Sequence, residues 1–272
     1  MRRRRSDVKI EPFTSADIAH LPPLQPEGWL PVGPYYEFYV KASFCHPVKC
    51  LVDGRVVGIG CAIRHRSTGW LAHIIVAPDY RRQGIGTLIT KWLMDFLINE
   101  FQFKTIHLAA TPMGEPLYRQ LGFRRISDYV FMRDGRLKDE SHVQTVSFSR
   151  DLRDAALAMD MAASFEDRSQ LLEPHWSEGR FVMNNGVLEG YYLPTLGEGY
   201  IVATRPEVGL SLMQLKHRNG GVAVVPEQNN VAMRHLKENG YIEYRRGTRM
   251  IYGEPLPWRP EMIFGRIGGN LG

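Results

Sequence analysis

The stretch VAPDYRRQGIGTLI, residues 76–89, decides how this chain is read. It sets two arginines, a glutamine and two glycines between an apolar run that ends at Val76 and an apolar periodic run that begins at Leu88. A strand that turns into a helix leaves the helix's first backbone N–H groups unpaired and aimed over the turn, where they suit an anion. Gly84 and Gly86 remove side chains that would hold a bulky phosphate off the backbone. Arg81 and Arg82 add guanidinium forks that match phosphate oxygens. A diphosphate is the guest such a turn fits. Single positions exclude two other diphosphate turns. The dinucleotide fingerprint needs a third glycine where Ile89 stands, and a Walker turn needs Gly-Lys followed by Ser or Thr, which is missing.

Working outward, WLAHIIVAP reads as the strand entering the turn. PVKCLVDG and RVVGIGCAIRH read as two strands joined through Asp53 and Gly54, a dipeptide that accepts the positive φ of a tight hairpin. Earlier, VKIEPFTSADIAHL predicts a short strand and then a helix opened by Ser15 or Asp17. EGWLPVGPYYEFYVKASF predicts short helices and loops. After the turn, Leu88, Ile89, Trp92, Leu93, Phe96 and Leu97 line one side of a 3.6-period helix. KTIHLAAT then reads as a strand, PMGEPLYRQLG as a short helix stopped by Gly122, and DYVFMR as a closing strand. The predicted order is β, α, three antiparallel β, α, β, α, β.

Around residues 133–144 the text turns polar and loses its period, which marks a linker. The remainder of the chain resembles a second copy. GRFVMNNGVLEGYYLP matches the hairpin, EGYIVATRPEVGLSLMQLK stands where the glycine turn stood, and VAVVPEQNNVAMRHLKENGY parallels IHLAATPMGEPLYRQLGF. Set by Gly122 and Gly240, these put Asn229 against Thr111, Ala232 against Gly114 and Leu236 against Tyr118. Each copy is expected to be a layered α/β unit of its own.

With 272 residues, 44% of them apolar, the chain can bury a real core, and no run is long enough for a membrane span. MRRRRSDVKIEP carries charge with no apolar segment behind it, so a cytoplasmic location is expected. Cys45, Cys50 and Cys61 have no paired spacing for disulfides or zinc, and no metal is expected. A net charge of +5 favours an anionic partner, and Arg2 to Arg5 form the one dense basic run.

RRQGIG behind IIVAPDY resembles the pyrophosphate-binding turn of the GNAT acyl-CoA N-acyltransferases, and LYRQLGF resembles that family's second motif. The strand and helix order is similar as well. EGWLP, LAATP, AMDMAASFEDRSQLL and the closing RMIYGEPLPWRPEMIFGRIGGNLG resemble bacterial tandem proteins in which a working GNAT half precedes a GNAT-like half. The resemblance implies an α/β (α+β) chain with two tandem GNAT-like folds, each a mixed, mostly antiparallel sheet flanked by helices. Residues 1–136 would bind acetyl-CoA, and residues 137–272 would be degenerate.

The resemblance also implies the chemistry, attack of an amine on the thioester of acetyl-CoA. It gives cofactor holding to Arg81, Arg82, Gln83, Gly84, Ile85, Gly86 and Thr87, largely through backbone N–H groups. Ile74, Ile75 and Val76 fall on the strand that splays open to pair with the pantetheine arm. Tyr118 matches the tyrosine that protonates the departing thiolate. Thr111 stands where many relatives carry asparagine, and Ala109 where those with LDATP carry aspartate. His73, a candidate catalytic residue beside Tyr118, and His107 could each serve as general base, a water chain is the alternative, and a lone strand histidine is more often structural. Trp29, Tyr35 and Tyr36 lie where acceptor walls form. Asp160, Arg168, Glu178 and Trp258 are candidate acceptor contacts, though a surface or packing role is favoured for each.

In the second copy, RPEVGLS offers one glycine, a proline and Glu207, and Leu236 replaces the tyrosine; no CoA is expected there. The expected activity is an N-acetyltransferase acting on a primary amine of a small molecule or amino acid, with no membrane or nucleic-acid partner and a homodimer left open. The alternatives are a protein or ribosome-associated acetyltransferase, suggested by the arginine run, and a non-catalytic acyl-CoA-binding scaffold.

Overall fold

The computed structural model describes residues 7–137 and 143–272, so the Arg2 to Arg5 run lies outside them. The first half runs β1 (Val8–Pro12), α1 (Gly33–Tyr39), β2 (Cys45–Val52), β3 (Arg55–Arg64), β4 (Gly69–Val76), α2 (Ile85–Phe101), β5 (Thr105–Ala110), α3 (Glu115–Gln120) and β6 (Arg124–Arg133). The second half repeats that order, beginning with α4 (Arg153–Ser164) and the single turn α5 (Ser169–Leu172). It continues through β7 (Arg180–Asn184), β8 (Val187–Leu193), β9 (Tyr200–Ala203), α6 (Pro206–His217), β10 (Ala223–Pro226), α7 (Asn230–Glu238), β11 (Ile242–Gly253) and β12 (Ile263–Gly265). None of the described helices is long and apolar enough to cross a membrane.

Local signals set several of these elements. Asp53 and Gly54 both take positive φ, 49° and 79°, and close the β2–β3 hairpin as their dipeptide predicts. The helix expected after β1 is instead a 3-10 turn, Ser15–His20, and its cap is Thr14 rather than Ser15 or Asp17. The Thr14 N–H and hydroxyl both donate to Asp17 Oδ2, at 2.7 and 2.8 Å, and Lys49 Nζ reaches the other oxygen at 2.7 Å. Proline at positions 22 and 23 then prevents the turn from lengthening.

The two copies do not keep separate sheets. One eight-stranded sheet has the order β1-β2-β3-β4-β5-β11-β6-β10, and a four-stranded sheet has the order β12-β9-β8-β7. β11, which comes after the second half's last helix, lies between β5 and β6 of the first half and pairs antiparallel with both. β6 in turn pairs antiparallel with β10 of the second half. Each copy thus lends the strand that follows its last α-helix, β6 or β11, to the other, and the expectation of two self-contained units gives way to one shared sheet. The physical reason is edge satisfaction: without β11, both β5 and β6 would present unpaired N–H and C=O groups.

Among the described residues three large apolar clusters result from this plan, beside a small one of Tyr129, Phe131 and Val224. One lies under α2, built on Ile85, Ile89, Leu93 and Leu97 against β3, β4 and β5. A second lies under α6 and α7, with Leu212, Met213 and Leu236. The largest joins the halves, running from Tyr36, Tyr39 and Trp70 to Ala156, Phe181, Tyr191 and Leu271. The seam between the copies is therefore a core in its own right.

Candidate functional site

The opening motif folds into a turn with two left-handed residues, Arg82 at φ 58° and Gly84 at φ 83°, immediately before α2. An arginine in that region is uncommon, and such outliers gather where a site over-determines the backbone. Alternating left- and right-handed residues aim successive N–H groups into one concavity, an anion-binding nest at the positive end of a 17-residue helix. Among the described residues, the backbone N–H groups of residues 82–87 find no acceptor within the protein. Arg81, Arg82, Gln83 and Gly84 are exposed around them, and space is open beside the Gly84 Cα. These residues fit a diphosphate. Arg81 is also structural: its Nε donates to the Val76 carbonyl at 3.1 Å and holds the end of β4 to the turn. Gly86 answers to packing, since a Cβ there would stand 3.2 Å from Leu117.

β4 leads into this nest through a break in its pairing. Against β5 it pairs only at Gly69, Trp70 and Leu71; beyond Leu71 the two parallel strands part. Against β3 the register slips between Ile59 and Cys61, with one extra residue on the β4 side. His73, at φ 46°, sits in this bulge. Ile75 and Val76 regain pairing with Ile59 and Gly58, so their stretch of β4 is held on one side and open on the side facing β5. Because of the bulge, simple alternation along β4 does not fix the face His73 takes, since an extra residue resets the side-chain pattern.

Tyr118 stands on α3 beside the parted strands, half-buried, its ring against Phe123. Burial pushes its phenol up to about 12, so it carries its proton throughout the neutral range. The ring fits because residue 114 is glycine, where a Cβ would come within 3.0 Å of it. Thr111 has a structural task here, as its Oγ1 accepts from the Gly114 N–H at 3.2 Å.

His73 is ringed by Trp29, Tyr35, Tyr36 and Tyr39, with centroids 6.2, 4.8, 6.3 and 5.7 Å away. Burial pushes its pKa down to about 4, which leaves a neutral imidazole at physiological pH. Its Nδ1 lies 2.7 Å from the Tyr39 hydroxyl. Trp29 is 39% exposed and Tyr35 partly so, whereas Tyr36 is fully buried and belongs to the core rather than to a wall. His107 is 1% exposed, stacked on Trp70 and pushed down to about 3 by burial, on the part of β5 still paired to β4. No substrate reaches it there.

Residues 15–123 match the family model described as Acetyltransferase (GNAT) family. These residues form a GNAT-family domain. With the family comes transferase chemistry, acyl transfer in its general form. The fold as a whole is similar to solved structures. A proposed acetyltransferase from Pyrococcus horikoshii aligns with a TM-score of 0.81 at 21% identity, covering 97% of this chain and 96% of that one. GCN5-related N-acetyltransferases from Sphaerobacter thermophilus and from Anabaena variabilis align at 0.63 and 0.59. Their identities are 15% and 12%, and the coverages are 92% and 98% for the first and 90% and 72% for the second.

Set against the GNAT domain, the second half keeps the scaffold and loses the nest. Asn229 Oδ1 accepts from the Ala232 N–H at 3.0 Å, the same contact Thr111 makes with Gly114. Leu236 is fully buried where Tyr118 meets the cleft. At the start of α6, Pro206 removes an N–H and Glu207 adds a carboxylate, which pairs with Arg205. The gap between β9 and β10 corresponds to the parted β4 and β5, and β12 lies there paired to β9, with the buried Phe264 ring on Gly209 of α6. A Cβ at residue 209 would come within 2.3 Å of that ring.

Several residues named from sequence fall elsewhere. Asp160 and Arg168 are buried and bonded to each other, Nη2 to Oδ1 at 2.6 Å and Nε to Oδ2 at 3.1 Å, with the Tyr200 hydroxyl donating to the same carboxylate. They pin the second half and do not meet an acceptor. Trp258 lies under the Arg249 guanidinium at 4.2 Å, and Glu178 is exposed on a 3-10 turn. Two residues that contact the His73 environment, Tyr39 and Asn270, were not singled out from sequence. Tyr39 carried a signal, lying four residues after Tyr35 on one helix face; Asn270 carried none.

Proposed function

We propose that the chain is an acetyl-CoA-dependent N-acetyltransferase acting on the primary amine of a small molecule or amino acid. The observation that carries this reading is the junction of parted strands and nest: β4 and β5 separate beyond Leu71, and the opening leads to the unpaired N–H groups of residues 82–87. Those N–H groups, with Arg82 and the free end of Arg81, hold the diphosphate of the CoA moiety. Bound acetyl-CoA supplies a thioester carbonyl that an amine attacks with loss of a thiolate. The free edge of Ile74, Ile75 and Val76 orients the pantetheine arm as an added strand would. Tyr118 keeps a proton on its hydroxyl and delivers it to the leaving sulfur. The amine enters along Trp29, Tyr35 and His73. A small acceptor is favoured because this wall is backed by residues of the second half, and the second turn is excluded as a CoA site by Pro206, Glu207 and Phe264.

Calorimetric titration of acetyl-CoA tests the reading. Wild type should bind one equivalent per chain, and Gly84→Glu, which places a carboxylate at the nest and strains a left-handed position, should weaken binding at least on the order of 100-fold. Absence of binding to wild type would remove the reading.

A further inference from the structure

From β12 the chain runs along the seam between the halves. Arg266 donates to Glu198 at 2.5 and 2.8 Å, the Ile267 carbonyl accepts the Glu198 N–H at 2.7 Å, and Gly269 rests against Ala109. Asn270, from this second-half segment, then donates from Nδ2 to the Tyr39 hydroxyl at 2.7 Å. Its Oδ1 is turned the other way, over Gly268, where a Cβ would stand 2.7 Å from it. Tyr39 is fully buried and Asn270 nearly so, which keeps water from competing for these contacts.

Three groups in a row leave one arrangement of protons. The Tyr39 oxygen accepts from the Asn270 amide, and the phenol has a single proton of its own. The only other polar group it meets among the described residues is His73 Nδ1, at 2.7 Å, so that proton points there. Nδ1 therefore offers its lone pair, and an imidazole with a bare Nδ1 is neutral with its proton on Nε2. Nε2 takes no partner among the described residues and is not sealed from solvent.

We propose that Asn270, acting through Tyr39, locks His73 in the Nε2-protonated form, so that His73 faces the acceptor as a hydrogen-bond donor and is not the base that takes the acceptor's proton. Asn270 and Tyr39 are positioning residues, and the site in the first half is incomplete without the second. What the donor faces rests on the transferase reading; the locked tautomer does not.

The test is long-range nitrogen-proton correlation spectroscopy on the full chain labelled at histidine nitrogen, with His73 assigned through His73→Gln. Wild type at pH 7 should show a protonated Nε2 and a bare Nδ1. Asn270→Asp at pH 8 places an acceptor where the amide donor was. The Tyr39 proton should turn to it, Nδ1–H should donate to Tyr39, Nε2 should become bare, and the ring should titrate at higher pH. A wild-type ring protonated on Nδ1, or a folded Asn270→Asp with Nε2 still protonated, overturns the proposal, and the wild-type spectrum decides even if the variant does not fold. In the acetylation assay, Asn270→Asp should gain a pH limb in kcat at the new ring pKa, with KM for acetyl-CoA changed less than two-fold. Failure to acetylate any amine would sink the transferase reading while the spectrum still decides the tautomer.

Discussion

Tyr118 and His107 show how burial sorts residues of similar chemistry. Both are far from their ordinary pKa values because water is withdrawn, the phenol up to about 12 and the imidazole down to about 3. Tyr118 borders the parted strands, while His107 is sealed beneath Trp70 with both ring nitrogens lacking partners. The consequence for Tyr118 is a specific expectation. Tyr118→Phe keeps the ring's packing and removes the proton, so kcat should fall on the order of 100-fold while KM for acetyl-CoA moves less than two-fold. Since a phenol near 12 does not ionise between pH 6 and 9, wild type should show no decline from this group across that window. Steady-state rates at several pH values check both, and an unchanged kcat would return Tyr118 to a packing role. His73 shows where residue-level reading stops. Its type and place were legible in the sequence, but its proton is assigned by Asn270, 197 positions later.

Among the elements, α2 and its turn were the most legible, because glycine spacing, arginines and apolar period all lie within some twenty consecutive residues and act locally. The β2–β3 hairpin was legible for the same reason. β12 was not. Three residues of strand carry no period, and nothing in IFG says that it pairs with Tyr200–Ala203 or that its phenylalanine meets Gly209. The close approach explains the glycine in RPEVGLS, which in sequence resembles a remnant of the phosphate turn and in the fold answers to an aromatic ring. Phe264→Ala should therefore cost about 3–5 kcal/mol in chemical unfolding, as expected for emptying a filled aromatic site. It should not open a second cofactor site, because Pro206 and Glu207 remain, and the calorimetric stoichiometry should stay at one. A second equivalent of bound acetyl-CoA in that variant would show that the phenylalanine alone keeps the ligand out.

For the whole molecule, the repeat was legible from matched words such as those ending at Gly122 and Gly240, but the connection between the copies was not. A strand's sequence records which face is apolar and says little about which strand lies beside it, so nothing in IEYRRGTRMIYG places β11 outside its own half. Its insertion between β5 and β6 makes the halves interdependent. Residues 1–136 produced alone should fail to give a monomeric, soluble domain, since β5 and β6 would lose their common neighbour and Tyr36, Tyr39 and Trp70 would lose the apolar partners across the seam. Co-production with residues 137–272 should restore a one-to-one complex, seen by size-exclusion chromatography with light scattering. A well-folded 1–136 monomer would contradict the account of the shared sheet.

The reciprocal loan of β6 and β11 has the geometry of two exchanged arms, the arrangement by which separate subunits become a swapped dimer. Here both arms belong to one covalent chain, so each arm meets its slot at an effective concentration on the order of millimolar, and exchange with a neighbouring molecule is outcompeted. Two identical subunits would have to carry two identical clefts. A tied pair is released from that symmetry: one cleft keeps its nest, and the other has been given over to Phe264 and to the segment that carries Asn270 to its twin.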